Sequence, residues 1–467
     1  MRILASPRYH RQFSWTRYLP VILTAVSIIS IGPIAHGQLT VEQLLRSTIE
    51  DPLASKFPEV SQALNDFQQS NFAGARESLV SASEKNDDLA PADVMLAQLY
   101  GSINQINALR SSLENAVKSS PDDPESYIVF GDVARSQGRI TEAELGYEKA
   151  IELCKTFSRN AFRKKNMQAR AYGGAAVVAE SRQDWPTAKQ HLLSWAELTP
   201  NEAGPHLRLG QVEFKLLEGN KEGRENAYAA YRKAYNFDSQ LTRPEIYMAR
   251  LFHEDGNRKN AQHMLKLAID RGKQDLKTQL EAGQLFIAMD AISEAKQCTD
   301  AARAINADSF DAMLLQGLVA RYNNEFEDAE GAFREAHNLA PTNLTVILQL
   351  ALSLVEQAAD PRKQNQALEW ARLASSVNKD VKQPQARESL ATLGWILDKL
   401  GRTNEAGQAI QRAVSGGRLG AESTYFSAKI LNDGGRGEVA RQLLQQVVDT
   451  KTPFPYRKDA ESLLSSM

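Results

Sequence analysis

Between Pro124 and Leu153 the chain reads PESYIVFGDVARSQGRITEAELGYEKAIEL, and its apolar and small positions fall into two groups. Tyr127, Phe130, Gly131 and Ala134 are spaced i, i+3, i+4, i+7; Ala143, Tyr147 and Ala150 are spaced i, i+4, i+7. Each spacing marks one face of an α-helix, with polar residues on the other side. Two helices joined by so short a turn predict an antiparallel hairpin. The pattern recurs in one register, with units starting at 56, 90, 124, 169, 203, 242, 276, 310, 344, 387 and 421. Seven of the ten spacings are 34 residues and the others are 45, 39 and 43. A regular repeat of this length predicts hairpins that stack, each burying on its neighbours a face it cannot bury alone.

The small residues carry the register. Position 8 is Ala63, Ala97, Gly131, Ala176, Gly210, Ala249, Gly283, Gly317, Ala351, Gly394 and Ala428. Allowing for insertions, position 20 is Ala except at Leu109, and position 27 is Ala except at Trp195 and Val447. Positions 8 and 20 are expected to face each other within a hairpin and position 27 to meet the next unit, because larger side chains there would force the helices apart. Gly138, Gly256, Gly401 and Gly435 at position 15 predict left-handed closures of the first helix. Phe72, Trp185 and Phe326 at position 17 each follow Asn, Asp or Glu, as in a turn into the second helix. Pro121, Pro200 and Pro341 at position 32 stop that helix.

This pattern resembles the tetratricopeptide repeat, with its W-x2-L-G-x2-Y, A-x3-F, A and P positions. The resemblance covers nearly all of residues 56–454. It implies an all-α, right-handed superhelical solenoid of about eleven units. It also implies a concave wall lined by the first helix of each unit, chiefly at positions 2, 5, 9 and 12. In this sequence those positions include Ile128, Asp132, Arg135, Arg250, His253, Leu318, Arg321, Trp395, Asp398, Tyr425, Lys429 and Asn432. No unit pairs Lys at position 5 with Asn at position 9, so the carboxylate clamp of chaperone-binding members is not expected. Two candidate partner-binding patches remain. Trp395, Tyr425 and Lys429 combine aromatic and cationic groups suited to peptide or saccharide; the alternative is that Trp395 packs beneath the next unit. Arg250 and His253 with Arg321 would form an electropositive spot for acidic groups.

The irregular spacings predict local departures. The eleven extra residues after Ala150 fit a lengthened helix pair that keeps its facing. Elsewhere the excess is expected as loops, at Leu217–Asn226, around Asp360-Pro361-Arg362-Lys363, and after Ala374. Residues 38–55 are expected to supply an N-terminal helical cap, with a helix over Val41–Ile49, and residues 455–467 a C-terminal capping helix.

The first 37 residues carry four Arg and no acid. Leu19 to Ala35 is almost wholly apolar, and Ala35-His36-Gly37 places small residues at −3 and −1 of a cut before Gln38. That order predicts a secretory signal peptide, or an uncleaved anchor over residues 19–35. The body would then sit outside the cytoplasm, in the periplasm or the extracellular space. The remaining 51 basic and 57 acidic residues give a net charge of −6, which offers no footprint for nucleic acid. The run Arg163-Lys164-Lys165 reads as a solvated helix face. Cys154 and Cys298 lie four units apart, too far in this register for a disulfide, and no metal-ligand spacing occurs.

No HExxH, GxSxG, Walker loop or GxGxxG is present, and neither a cofactor nor a catalytic group is expected. The array takes up almost the whole chain after residue 37. The expected function is therefore that of an exported, non-catalytic scaffold binding protein or peptide partners along the concave surface. The alternative is an envelope assembly component contacting polysaccharide or peptidoglycan.

Overall fold

The computed structural model describes residues 41–467 apart from Ser47, Ile49, Asp51, Pro52, Ala358, Ala359 and Lys451. The expected signal segment, its cut site, Gln38–Thr40 and Ile49 lie outside the described residues. Among the described residues the structure is all-helical, with 24 α-helices. The chain divides into two compact units, Met1–Leu216 and Leu217–Met467.

In the N-terminal unit, α1 (Val41–Leu45) precedes the hairpins α2 (Pro58–Gln68) and α3 (Phe72–Lys85), and α4 (Ala92–Ser102) and α5 (Ile106–Ser119). The hairpins α6 (Pro124–Ser136) and α7 (Ile140–Thr156), and α8 (Ala161–Ser181) and α9 (Trp185–Leu198) follow, and then α10 (Ala203–Leu216). In the C-terminal unit, α11 (Lys221–Phe237) is followed by α12 (Pro244–Glu254) and α13 (Arg258–Arg271), and α14 (Leu276–Ala288) and α15 (Ile292–Ile305). Next come α16 (Phe310–Tyr322) and α17 (Phe326–Leu339), and α18 (Leu344–Val355) and α19 (Pro361–Val377). The unit ends with α20 (Pro384–Lys399) and α21 (Thr403–Ser415), α22 (Ala421–Asp433) and α23 (Gly437–Asp449), and α24 (Arg457–Ser466).

Packing follows the small residues. All the alanines at positions 8 and 20 are buried. The side chain that closes over position 8 comes from position 24, four residues beyond the expected partner. A Cβ on Gly131 would lie 2.8 Å from the Tyr147 ring, one on Gly394 2.7 Å from Ile410, and one on Gly317 would clash with the edge of the Phe333 ring. Position 20 contributes backbone instead, with the Ala406 carbonyl 3.4 Å from the same Gly394 Cβ. These three glycines thus make room for a large side chain one helical turn further along the partner helix, whereas at Gly283 the group that closes in is Leu315 of the next hairpin, 2.8 Å from a Cβ placed there.

Turn geometry is uniform. Gly138, Gly256, Gly401 and Gly435 have φ between 72° and 77°. Ser70, Asn104, Gln183, Asp290 and Asn324, also at position 15, adopt the same left-handed region at φ of 54° to 61°. Second helices then start at caps. Asn71 accepts from the Gly74 N–H and Asp184 from the Thr187 N–H, each immediately before the position-17 aromatic. A cap of this kind stabilises a helix by about 1 kcal/mol.

The insertions are more helical than expected. The extra residues of the 45-residue unit lengthen its second helix, α7, to 17 residues and the first helix of the next hairpin, α8, to 21. Leu217–Asn226 is not a long loop, because Asn220 caps α11 by accepting from the Gly223 N–H. Asp360 likewise accepts from the Arg362 N–H with Pro361 at the first helical position, so Arg362 and Lys363 belong to the first turn of α19. That helix continues past Ala374 to Val377. Among the described residues no helix is long and apolar enough to cross a membrane.

Candidate partner-binding face

In the C-terminal unit the first helices of successive hairpins touch one another: α16 meets α18, α18 meets α20, and α20 meets α22. Their shared face carries positions 2, 5, 9 and 12, and several candidates lie on it.

Trp395 and Tyr425 come together, with ring centroids 5.8 Å apart, but neither forms an open wall. They are 4% and 5% exposed. Trp395 stacks on Phe426 at 4.5 Å, packing against the next unit, and the covering group is Tyr456. The Tyr456 ring stacks on Tyr425 at 5.6 Å and stands edge-on to Trp395 at 5.5 Å. Its hydroxyl donates to Glu356 Oε1 at 2.7 Å. The same oxygen accepts from Trp395 Nε1 at 3.1 Å, and Lys399 Nζ donates to Glu356 Oε2 at 2.9 Å. Burial, with Glu356 close by, pushes the Tyr456 hydroxyl pKa upward, so it stays a donor at neutral pH. Lys429 does not join the aromatics. It pairs with Asp433 on its own helix and remains accessible.

The second patch is not an open positive spot. Arg321 is 1% exposed and gives its NH2 to Glu422 Oε1 at 2.6 Å and its NH1 to Gln349. Arg250 lies over the Tyr247 ring, 5.7 Å from its centroid, with Glu281 Oε1 4.0 Å away. Burial, and secondarily Arg258, lowers the His253 pKa, which favours the uncharged imidazole. Each arginine already has a carboxylate beside it, because a buried guanidinium is costly without one.

The N-terminal unit holds a network that the sequence pattern did not single out. Arg163, expected on a solvated face, is 1% exposed. Its NH2 reaches Asp123 Oδ1 at 2.6 Å and Glu125 Oε2 at 2.9 Å. Arg170 reaches Glu125 Oε1 at 3.3 Å and Asp132 Oδ2 at 3.1 Å. Asp132 in turn accepts from the Tyr147 hydroxyl at 2.7 Å, to which Arg135 Nε donates at 3.3 Å. Burial holds the Asp123 carboxyl above its ordinary range despite Arg163, and its Oδ2 is buried without a partner. Glu125 and Arg170 occupy position 2 of their units, and that signal would have placed them on the wall. Arg163 lies in the extra residues outside the register and had no such signal.

Cys154 and Cys298 are free and buried, and burial pushes both thiols up to about 12. Among the described residues no group of three His, Cys, Asp or Glu is placed to hold a metal ion.

The sequence model of the tetratricopeptide repeat family matches residues 124–157 and 388–415, one stretch in each unit and both within one residue of the register. The chain carries tetratricopeptide repeats. Among solved structures, yeast Tom70 is 13% identical over 89% of this chain and 96% of its own, with a TM-score of 0.40. YrrB, described as a TPR protein with an unusual peptide-binding site, is 19% identical over 40% of this chain and 92% of its own, at a TM-score of 0.27. The Cut9–Hcn1 hetero-tetramer of APC/C is 13% identical over 91% of this chain and 90% of that chain, at 0.36. No curated protein matches the sequence. The tetratricopeptide assignment places the candidate residues on the first-helix face, where this structure shows aromatic and ion-pair clusters in place of an open groove.

Proposed function

We propose that this tetratricopeptide-repeat protein is a non-catalytic scaffold that binds protein partners through the first-helix face of its hairpins. The observation that supports this most is the seating of a non-helical stretch, Thr452–Tyr456, against that face in the C-terminal unit. A surface that takes up a non-helical segment by aromatic stacking and a half-buried carboxylate has the chemistry of a peptide site. The basic, apolar, small-residue order of residues 1–37 supports export, with the repeats outside the cytoplasm. The saccharide alternative called for aromatics on an open wall, and Trp395 and Tyr425 are covered.

Photo-crosslinking tests the reading. A crosslinking residue at Lys429, on the first-helix side, should capture discrete partner proteins in the native compartment. The same group at exposed Leu145 on α7 should not. Equal capture at both, or none at Lys429, would sink the proposal. Mass spectrometry of the exported chain should find Gln38 as its first residue, and an intact Met1 would identify a retained anchor instead.

A further inference from the structure

Tyr456 touches four successive first helices. It meets Glu356 at the end of α18, Trp395 on α20, and Tyr425 and Phe426 on α22, and it lies within reach of the Arg321 guanidinium on α16. It comes to this place from outside the hairpins, on the segment that leaves α23 after Asp449. Pro453 and Pro455 remove two backbone donors from that segment and favour the extended form in which peptides enter grooves. Phe454 adds a second ring, itself buried, 6.2 Å from Tyr425. Arg457 closes the segment on itself by donating to the Thr452 carbonyl at 2.9 Å and the Val448 carbonyl at 2.8 Å.

The hold on this segment is local. Of the ten residues of α24 only Ala460 is buried, and the helix packs chiefly on the last hairpin, against α22 and α23. A helix this short has little stability of its own. Phe454 and Tyr456 anchor the segment ahead of the partly buried Leu463, Leu464 and Met467, and Tyr456 is itself only partly buried, so its rim is open to solvent. The receiving face also has polar capacity to spare, since Arg321 Nε is buried without an acceptor.

We propose that Phe454 and Tyr456 are the chain's own occupants of a peptide subsite formed by Glu356, Trp395, Tyr425 and Arg321. A partner segment with an aromatic–Pro–Tyr core takes their place by displacing residues 452–467. The proposal rests on the scaffold reading above and adds the chemistry of the ligand: a phenol hydroxyl that donates to Glu356, preceded by proline and a second ring. Occupation by the attached segment keeps the site closed until such a partner is present.

The test uses the full chain and a fluorescein-labelled peptide of residues 450–459, read by fluorescence anisotropy. The attached segment competes at an effective concentration of about millimolar. The wild type should therefore bind the peptide weakly, and the Phe454→Ala/Tyr456→Ala double variant about tenfold more tightly or better. A peptide with Phe in place of the tyrosine should bind the double variant about fivefold more weakly, the loss of one hydrogen bond. Equal binding to wild type and double variant, or equal binding of a scrambled peptide, overturns the proposal. Should the double variant fail to fold, a protease site inserted between Asp449 and Thr452 allows cutting after folding. The cut fragment should then exchange with labelled peptide, and a fragment that never exchanges overturns the proposal. Peptide exchange without any partner crosslinked at Lys429 would count against the scaffold reading and not against the subsite. Crosslinked partners without peptide exchange would do the reverse.

Discussion

In the N-terminal unit the first-helix face is tied together by ion pairs, and in the C-terminal unit chiefly by aromatic rings. Arg163, Arg170 and Arg135 interleave with Asp123, Glu125 and Asp132 in the one. Trp395, Tyr425, Phe426 and Tyr456 stack around the single carboxylate of Glu356 in the other, with the Arg321–Glu422 pair beside them. The frame is the same in both. Position 8 is small throughout and positions 20 and 27 are small in most units, which lets the helices approach, whereas positions 2, 5, 9 and 12 vary freely. The two solutions differ energetically. Burying rings is favourable by roughly 1.5–3 kcal/mol each. A buried ion network roughly breaks even against its desolvation and becomes costly once one partner is lost. The ion-paired face should therefore be brittle to single substitutions and the aromatic face more tolerant.

The largest expected effect tests that brittleness. Arg163→Ala leaves Asp123 and Glu125 buried with Arg170 as the only guanidinium in contact with Glu125. It should destabilise the N-terminal unit by about 3–5 kcal/mol, measured by chemical denaturation. A loss below about 1 kcal/mol would mean that the network is solvated and the contrast with the aromatic face is false. Next comes the frame itself. Gly317→Leu drives a side chain into the Phe333 ring and should cost about 1–3 kcal/mol through overpacking. Because position 8 is small in both units, Gly131→Leu against Tyr147 should cost a similar amount. Unequal costs would show that one stack yields more readily than the other.

Smaller effects separate the faces further. Tyr456→Phe keeps the ring and removes one donor to Glu356, which retains Trp395 and Lys399. The loss should be about 1 kcal/mol, and less than for Arg163→Ala. The Asp123 carboxyl has its pKa raised by burial in the folded chain, so the folded state takes up a proton more readily than the unfolded one. Its contribution is full below the unfolded value near 3.8 and is lost as pH rises through the raised value. Relative to Asp123→Asn, the wild type should therefore gain stability on acidification through that window. An identical pH profile for the two would remove this prediction.

The repeat frame was legible because steric demand keeps Gly or Ala at every position 8 and, Leu109 apart, Ala at every position 20, and such residues keep register over hundreds of positions. The chemistry of the face was legible only where it fell in register. Trp395, Tyr425 and Arg321 were found on the wall, but not what covers them, because Tyr456 follows the array and no repeat position describes it. Arg163 was read as solvated because a basic triplet in an insertion carries no sign of the acids that fold beside it. The loops expected at Leu217–Asn226 and around Asp360 are cut short by helix from Lys221 and Pro361, because Asn220 and Asp360 begin the second helix earlier than its apolar pattern does.

The smallest effect concerns position 15, where both units use the same turn with different residues. Ser70 closes α2 at φ 61° with a side chain, whereas Gly138 closes α6 at φ 72° without one. The left-handed region costs an ordinary L-residue about 1 kcal/mol, and glycine enters it freely. Glycine also loses more freedom on folding, which offsets part of the gain. Ser70→Gly should therefore stabilise by a few tenths to about 1 kcal/mol. The same change at Asp290 in the C-terminal unit, at φ 54°, should give an equal gain, since this turn belongs to the shared frame and not to either face. A gain at one site and a loss at the other would show that the two stacks differ in their frame as well as in the chemistry laid over it.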